Sequence, residues 1–281
     1  MKIYSSLRKK TEMKIIFKNV LLFAVILVAS GNVFSQIGGL SGSKLISYCV
    51  DVVDDKKIEF EPVFYHFASS KYWNADGELH DLYSTPDSIR KATGMGFRFT
   101  YGMFDKLEVG MAFSTDMEMG AFGISYIVLQ KKKSALALMG GLNLPLGNST
   151  FDKRIRLAEN TLSTGLGAVA TFDFTQNLSL DVNAQYMFFL SETVDNDKGK
   201  LIFSADLGYY VFNHTLQLVG AAGFSSIKNG EGNHSVLTLN PGFTVETAKN
   251  FIIVMGFPFD VYGTNEAKNR GFTFALTITL D

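Results

Sequence analysis

Carboxylate and amide side chains recur in the middle of apolar segments, on the face opposite to the apolar residues. In residues 178–190, the alternate positions from Ser179 to Gln185 are polar, whereas those from Leu178 to Leu190 are apolar. Successive side chains of a strand point to opposite faces, so the polar positions share one surface. If that surface encloses a lumen, the candidate pore-lining residues are Glu59, Glu61, Arg98, Glu108, Asp173, Asp181, Asn183, Gln185, Asp206, Glu246 and Asp260.

Two kinds of chemistry are open to this acidic surface. It could form a charged constriction that repels anions and admits neutral or cationic solutes. Alternatively, the charges pair with one another and hold water, as in any small barrel with a polar interior. Arg98 and Glu108 flank the short connection "GMFDK" on one face, so we predict an interstrand ion pair worth at most about 1 kcal/mol. The carboxylates that lie near short turns are expected to form a belt in the periplasmic half of the lumen: Glu108, Asp173, Asp181 and Glu246.

Catalytic and metal-binding patterns are weak. The best nucleophile candidates are His234, Ser235 and Asn240, but adjacent strand residues point to opposite faces, so His234 cannot readily act as a base for Ser235. The remaining histidines, His66, His80 and His214, have no companions at ligand spacing. Cys49 is the only cysteine, which excludes an intrachain disulfide. The sequence therefore predicts no enzyme activity, no cofactor and no metal site.

The elements that would position the polar residues are about twelve β-strands. Segments rich in Phe, Leu, Val, Gly and Thr are separated by polar clusters, and helix-period apolar stripes are scarce. Strands are predicted near 57–68, 93–101, 107–114, 120–129, 134–144, 161–173, 178–190, 200–212, 215–227, 236–248, 251–263 and 270–281. Every second connection is short: "GMFDK", "QKKKS", "FTQN", "NH" and "KN". The others are predicted to be longer: 69–92, 115–119, 145–160, 191–199, 228–235 and 264–269.

The N-terminal residues have the order of a secretory signal. Lysines lead into the apolar run "VLLFAVILVA", and small residues follow, so cleavage is predicted after Ser35. An uncleaved anchor is the alternative, although the run is short for a spanning helix. Met13 opens a complete signal of its own, which leaves the start codon open between Met1 and Met13. The remaining chain carries a net charge of about −6, which argues against nucleic-acid binding.

These features together favour a single antiparallel transmembrane β-barrel of outer-membrane type over a secreted β-domain. The strands are long enough for the ~9–11 residues that cross a bilayer with tilt. Short and long connections alternate as periplasmic turns and external loops do. In the closing stretch "RGFTFALTITLD", Phe272, Phe274, Leu276, Ile278 and Leu280 are predicted to face lipid, with Thr273, Thr277 and Thr279 toward the lumen. This last strand must pair with the first to close the wall.

Several hairpins resemble those of the outer-membrane family labelled "MetA-pathway of phenol degradation". The resemblance is carried by "GFRFTYGMFDKLEVGMAFS", "SALALMGGLNLPLGNSTFD" and "GLGAVATFDFTQNLSLDVNAQY", and it runs from about Thr93 to the C-terminus. Gly-rich strands that end in turns such as "DKLEVG" are the shared pattern. The resemblance implies a transporter-like barrel in the outer membrane, and implies neither an enzyme nor phenol as the solute.

The sequence therefore predicts a signal peptide over 1–35, an N-terminal segment over 36–56 and a barrel over 57–281. The N-terminal segment could fold into the lumen as a plug or remain a periplasmic leader. The predicted function is passive passage of small solutes, hydrophobic or aromatic ones included. A non-conducting surface-binding or structural barrel, or a lipid-directed hydrolase, is the alternative. The expected partners are outer-membrane lipid and the barrel-assembly machinery, with no nucleic acid and no cofactor.

Overall fold

The computed structural model describes residues 36–42, 44–85, 88–115, 119–146, 161–190, 198–212, 214–228, 233–248 and 250–280. The predicted signal peptide over 1–35 therefore lies outside the described residues. Fourteen strand segments follow one another: β1 Ile58–Trp73, β2 Leu79–Asp81, β3 Arg90–Phe104, β4 Leu107–Ser114, β5 Met119–Lys131, β6 Ser134–Pro145, β7 Ser163–Asp173, β8 Leu178–Phe189, β9 Gly199–Val211, β10 Leu216–Lys228, β11 Asn233–Ala248, β12 Phe251–Gly256, β13 Phe259–Thr264 and β14 Glu266–Leu280.

The strands form one closed antiparallel barrel with twelve wall strands. From β3 to β11 each strand pairs with the next along the chain, and β1 pairs with β3. β12 and β13 are two halves of one wall strand between β11 and β14, interrupted at Phe257 and Pro258. β2 is a short addition to the end of β1. The last strand pairs with the first from Ile58↔Leu280 to Trp73↔Glu266, so the wall closes as the C-terminal stretch predicts.

The strand predictions are confirmed for position and count, with one clear error among the connections. The predicted short turns are confirmed; between β3 and β4, for example, the turn consists of Asp105 and Lys106 alone. The predicted long connection 264–269 is wrong, because only Asn265 separates β13 from β14. Asn265 has a positive φ of 51°, a conformation that Asn tolerates better than most residues, and this allows the tight turn. Parts of the other predicted long connections, including 147–160 and 191–197, lie outside the described residues.

The two faces of the wall differ in chemistry as the alternation predicts. Large apolar side chains point outward and remain exposed, for example Leu166 at 66 % and Leu138 at 52 % of their surface. Inward-facing positions carry polar residues, small residues and glycines, many of them buried. An apolar outer band around a polar interior is the pattern of a barrel whose exterior solvent is lipid. Among the described residues, none form an apolar helix of membrane-spanning length.

Candidate functional site

We call residues 36–56 the lumenal segment, and its described residues up to Val53 lie inside the barrel against the inner faces of β3 to β9. The side chains of Ile37, Leu40, Tyr48 and Val50 are all 5 % exposed or less. They form one apolar cluster with inward-facing wall residues Ile127, Ala137, Met139, Val169, Met187 and Ile202. This buried apolar cluster is therefore shared between the segment and the wall.

Asp206 on β9 holds the middle of the lumenal segment through three backbone hydrogen bonds. Its carboxylate accepts the N–H groups of Leu45, Ile46 and Ser47 at 2.7, 3.0 and 3.0 Å. Successive backbone N–H groups that converge on one anion form a nest, a recurrent way of binding negative charge. Asp206 is fully buried, so this nest replaces the water that would otherwise solvate the carboxylate.

Glu108 on β4 joins the two arms of the lumenal segment. One carboxylate oxygen accepts the N–H of Ser41 at 3.0 Å, and the other accepts both the Ser41 hydroxyl and the N–H of Val53, the latter at 3.0 Å. Ser41 and Val53 lie on opposite sides of the turn held by Asp206. One buried wall carboxylate therefore fixes the segment where it doubles back.

A buried cluster of Arg98, Glu59 and Glu61 holds the first arm of the segment. Arg98 forms ion pairs with Glu59 and Glu61, the latter at 2.9 Å, and donates to the carbonyl of Leu40 at 2.6 Å. Glu61 also accepts the hydroxyl of Thr277 on the last strand. The cluster therefore connects the segment to both sides of the β1–β14 closure.

The predicted ion pair between Arg98 and Glu108 is wrong. The register of β3 and β4 places Arg98 opposite Ala112, and it places Glu108 opposite Gly102. The two side chains are thus offset by four residues along the hairpin, because the turn between these strands has only two residues. Arg98 instead forms its ion pairs with the carboxylates of β1, and Glu108 binds the lumenal segment.

Further polar contacts attach the segment to several strands of the wall. Lys44 forms an ion pair with Asp181 at 2.6 Å and donates to Ser179 at 2.7 Å. Gln185 accepts the N–H of Ile37 at 2.8 Å, and Thr171 accepts the N–H of Val50 at 3.0 Å. The hydroxyl of Thr100 donates to the carbonyl of Gly39 at 2.6 Å. Every one of these wall residues faces inward, so the segment contacts the inner surface of several neighbouring strands.

Close backbone approach between Gly39 and Gly110 explains why small residues occur on both sides. A Cβ built on Gly110 would lie 1.8 Å from the carbonyl oxygen of Gly39, which is far below van der Waals contact. Gly39 has a φ of +84°, a conformation that favours glycine. Neither position accepts a side chain without moving the segment.

The eleven predicted site residues fall into three groups. The first group holds the lumenal segment: Arg98, Glu108, Asp181, Gln185 and Asp206 contact it directly, and Glu59 and Glu61 form ion pairs with Arg98. The second group bonds to the wall: Asn183 to Ser204, Glu246 to Tyr210, and Asp260 to Thr238 and Asn269. Asp173 is exposed at the end of β7. The segment's own contact residues, Ser41 and Lys44 above all, were not among the predicted sites, although the Gly and Ser content of 36–44 was a possible signal.

Two ionisable groups of the segment have pKa values displaced by burial. Burial raises the pKa of the Tyr48 phenol, whose hydroxyl donates to the carbonyl of Ile37 at 2.6 Å. Burial also raises the pKa of the Cys49 thiol, and the negative charge of Asp51 adds to this effect. Both groups are therefore neutral at physiological pH, and Cys49 has little reactive thiolate.

The weak catalytic candidates are not brought together. His234 donates from Nδ1 to the carbonyl oxygen of Asn265 at 3.0 Å, whereas the hydroxyl of Ser235 bonds to the hydroxyl of Thr264 at 2.8 Å. Asn240 lies further along β11, at a buried inward position. The described residues contain no group of three or more His, Cys, Asp or Glu side chains that could hold a metal ion.

Comparison with known proteins gives one family and a set of similar folds. A family model described as "Putative MetA-pathway of phenol degradation" matches residues 97–276. No curated protein matches the chain at a significant level. The COG4313 outer membrane channel from Pseudomonas putida F1 has a similar structure, with a TM-score of 0.66, 12% identity, and coverage of 82% of this chain and 98% of that one. The NanC porin is similar with a TM-score of 0.52, 9% identity, and coverage of 78% and 100%. At these identities the likeness shows a shared outer-membrane barrel fold.

Proposed function

The chain belongs to the family described as the MetA-pathway of phenol degradation, and from that premise we propose that it is an outer-membrane channel closed by its own lumenal segment. The segment leaves the lumen, in whole or in part, when solutes pass. The proposed cargo is a small uncharged solute of hydrophobic or aromatic character, in keeping with the family's description and with the apolar cluster inside the barrel. The similarity in fold to a protein described as an outer membrane channel supports the same function.

The observation that carries this proposal is the way in which the segment is held. Its polar attachments are mainly hydrogen bonds that its backbone N–H groups donate to wall carboxylates, together with one that Arg98 donates to the carbonyl of Leu40. Water can replace each of these bonds when the segment moves, so the net free energy of each bond is small compared with its gross strength. The segment also continues directly into β1 at Ile58, which keeps it attached after release. A segment so held suits a reversible plug.

A non-conducting structural or surface-binding barrel is the second candidate. The observation that favours it is the close packing between segment and wall, which includes side chains with almost no exposed surface, such as Ile37 and Met187. Segment and wall side chains together then form a packed hydrophobic core inside the barrel. In this alternative the segment never leaves, and the contacts described above serve stability alone.

The proposed location and partners follow from the same reading. We propose that residues 1–35 direct export and are removed, which would make Gln36 the first residue of the mature chain. The barrel would then be inserted by the assembly machinery, with its exposed apolar band in contact with outer-membrane lipid. Hydrolase activity does not form part of the proposal, because His234 and Ser235 bond to different partners.

The channel proposal is tested by recording from planar bilayers with and without the lumenal segment. We expect the full chain to open rarely and a variant that lacks residues 36–56 to conduct continuously. A synthetic peptide of residues 36–56 should block the deletion variant, whereas a peptide of scrambled sequence should not. Heat-dependent gel migration verifies that each variant forms a closed barrel. An assembled deletion variant that carries no current would refute the channel and favour the structural barrel.

A further inference from the structure

Two exposed cations lie in one row across three neighbouring strands of the wall. Ala68 on β1 is directly opposed to Lys91 on β3 and, on its other side, to Arg270 on β14. Neighbouring strands are about 4.8 Å apart, so about 10 Å separates the backbones that carry Lys91 and Arg270. The small side chain of Ala68 leaves the space between these two long side chains open. We call Lys91, Ala68 and Arg270 the basic row.

Both cations of the basic row point away from the lumen. Arg90 and Ala92, the neighbours of Lys91 along β3, are buried, whereas Lys91 itself is exposed. Arg270 is exposed as well, and it shares its face of β14 with Phe272 two residues further on. Successive side chains of a strand alternate between the faces, so the basic row lies on the outer surface of the barrel.

The outer surface next to the basic row becomes apolar toward the middle of the wall. The adjoining row holds His66, Thr93 and Phe272, and Nδ1 of His66 and the hydroxyl of Thr93 share a hydrogen bond at 2.7 Å. Residues 272–280 are enough for the ~9–11 residues that cross the apolar layer of a bilayer, so the basic row lies at the external edge of this layer. Two rows nearer the middle are entirely apolar: Phe64 with Phe274 and Met95, and Phe60 with Ile278 and Phe99.

A second pair of cations lies beyond the basic row, but its charge is partly compensated. Lys71 and Lys268 are directly opposed. On its other side Lys71 is opposed to Asp81 of β2, and Nζ of Lys268 lies 5.5 Å from the ring centroid of Trp73. By contrast, the cations of the basic row have no acidic register partner in the described strands. The positive charge of this part of the rim is therefore concentrated in the basic row.

From these observations we propose that the basic row binds a phosphate group of an outer-leaflet glycolipid, the phosphorylated lipid A of lipopolysaccharide. Arg270 donates two parallel N–H···O bonds to the phosphate, and Lys91 adds a second positive charge from the other side. Ala68 admits the phosphate between them. A lipid fits this surface better than a soluble anion, because the apolar rows beside it lie at the depth of the acyl chains.

The lipid site rests on the proposed outer-membrane location, with the long connections external, and not on conduction. A barrel that never opens would bind the lipid equally well. The site therefore goes beyond the proposed channel function, because it assigns a partner to the outside of the wall rather than a solute to the lumen.

The lipid site is tested by native mass spectrometry of the full chain in detergent, titrated with bisphosphorylated or dephosphorylated lipid A. The charge-removing variant is Lys91→Gln with Arg270→Gln, and the charge-keeping variant is Lys91→Arg with Arg270→Lys. Ala68→Leu fills the gap without changing the charge. The matched control, Lys131→Gln with Lys132→Gln, removes two exposed lysines at the short turn between β5 and β6, on the opposite edge of the barrel. Heat-dependent gel migration verifies that each variant is an assembled barrel.

We expect the unmodified chain to bind bisphosphorylated lipid A at least about ten-fold more tightly than the dephosphorylated form, because charged hydrogen bonds to the phosphate are lost in the latter. The charge-removing variant should lose this preference and Ala68→Leu should weaken it, whereas the charge-keeping variant and the matched control should retain it. Equal affinity for the two lipids, an equal loss in the matched control, or a preference that survives charge removal would overturn the site. None of these readouts uses ion current, so a barrel that is silent in planar bilayers would refute the channel and leave the lipid site standing.

Discussion

Replacing Asp206 by Ala is expected to favour release of the lumenal segment from the wall. The carboxylate is fully buried and accepts three consecutive backbone N–H groups, from Leu45 to Ser47. Ala removes all three acceptor contacts at once and leaves three donors that regain partners only if water reaches them. The docked state therefore loses stability relative to the released state, in which these donors are already hydrated.

The magnitude follows from the number and type of the bonds. Hydrogen bonds to a charged group contribute about 1.5–3 kcal/mol each, so three of them sum to about 4–9 kcal/mol. Removing the buried carboxylate also removes its desolvation cost, which is several kcal/mol and acts in the opposite direction. We expect a net shift of about 3 kcal/mol toward release, which corresponds to roughly a 150-fold change in the equilibrium.

Cys49 provides the assay, because it is the only cysteine and lies within the segment. Cys49 is half-buried, and burial together with the charge of Asp51 raises the pKa of its thiol, so a thiol reagent labels it more slowly in the docked segment than in the released one. When docking is fast compared with labelling, the rate rises with the released population, by a factor of up to roughly 150 in Asp206→Ala. Asp105→Ala is the matched control, since it removes an exposed carboxylate of the same barrel, in the turn between β3 and β4. Equal labelling rates in the two variants would refute the role assigned to Asp206.

Three further predictions concern packing, charge and lipid contact. Gly110→Ala should displace the segment and speed Cys49 labelling, because the new Cβ meets the Gly39 carbonyl, whereas Gly220→Ala, which faces open space, should leave the rate unchanged. Lys44→Ala should cost about 3–5 kcal/mol of docking free energy, because it leaves the buried carboxylate of Asp181 without its counter-ion. The combined Lys44→Ala and Asp181→Ala variant should label more slowly than Lys44→Ala alone, and a faster rate would show that the ion pair is not the cause. Phe274→Arg places a charge toward lipid and should lower the heat-modifiable, assembled fraction by the equivalent of about 2–4 kcal/mol. The lumen-facing change Thr279→Arg should have little effect, and equal losses in these two variants would contradict the assignment of faces.

The wall of the barrel could be predicted from sequence because its determinants are local. Alternation of apolar and polar residues sets the face of each side chain, and this holds for β14, where Phe274 points outward and Thr277 bonds to Glu61 in the lumen. Turn residues fix the ends of the strands, as at Asp105 and Lys106. Where a single residue forms the turn, as Asn265 does, the polar residues around it lead to the wrong prediction of a long loop.

The interior could not be predicted in the same way because its contacts depend on register and on distant parts of the chain. Arg98 and Glu108 share a face, but a face does not specify a partner, and the register offsets the two residues by four positions. The partners of Asp206 in the lumenal segment, and two of the three partners of Glu108, are backbone N–H groups, which every residue except proline carries. No pattern of side chains in the sequence therefore predicts these backbone contacts.

The lumenal segment also has a consequence for the order of biogenesis. Its bonds join residues far apart in the chain, 148 positions for Ile37 with Gln185 and 161 for Leu45 with Asp206. The Asp206 carboxylate and the inner faces of β3 to β9 must exist before the segment can dock. The ribosome makes the segment before the wall strands that hold it, and the segment is consequently among the last parts of the described chain to reach its final position. Until then the segment lacks these bonds, so a protease can cleave it before the barrel encloses it.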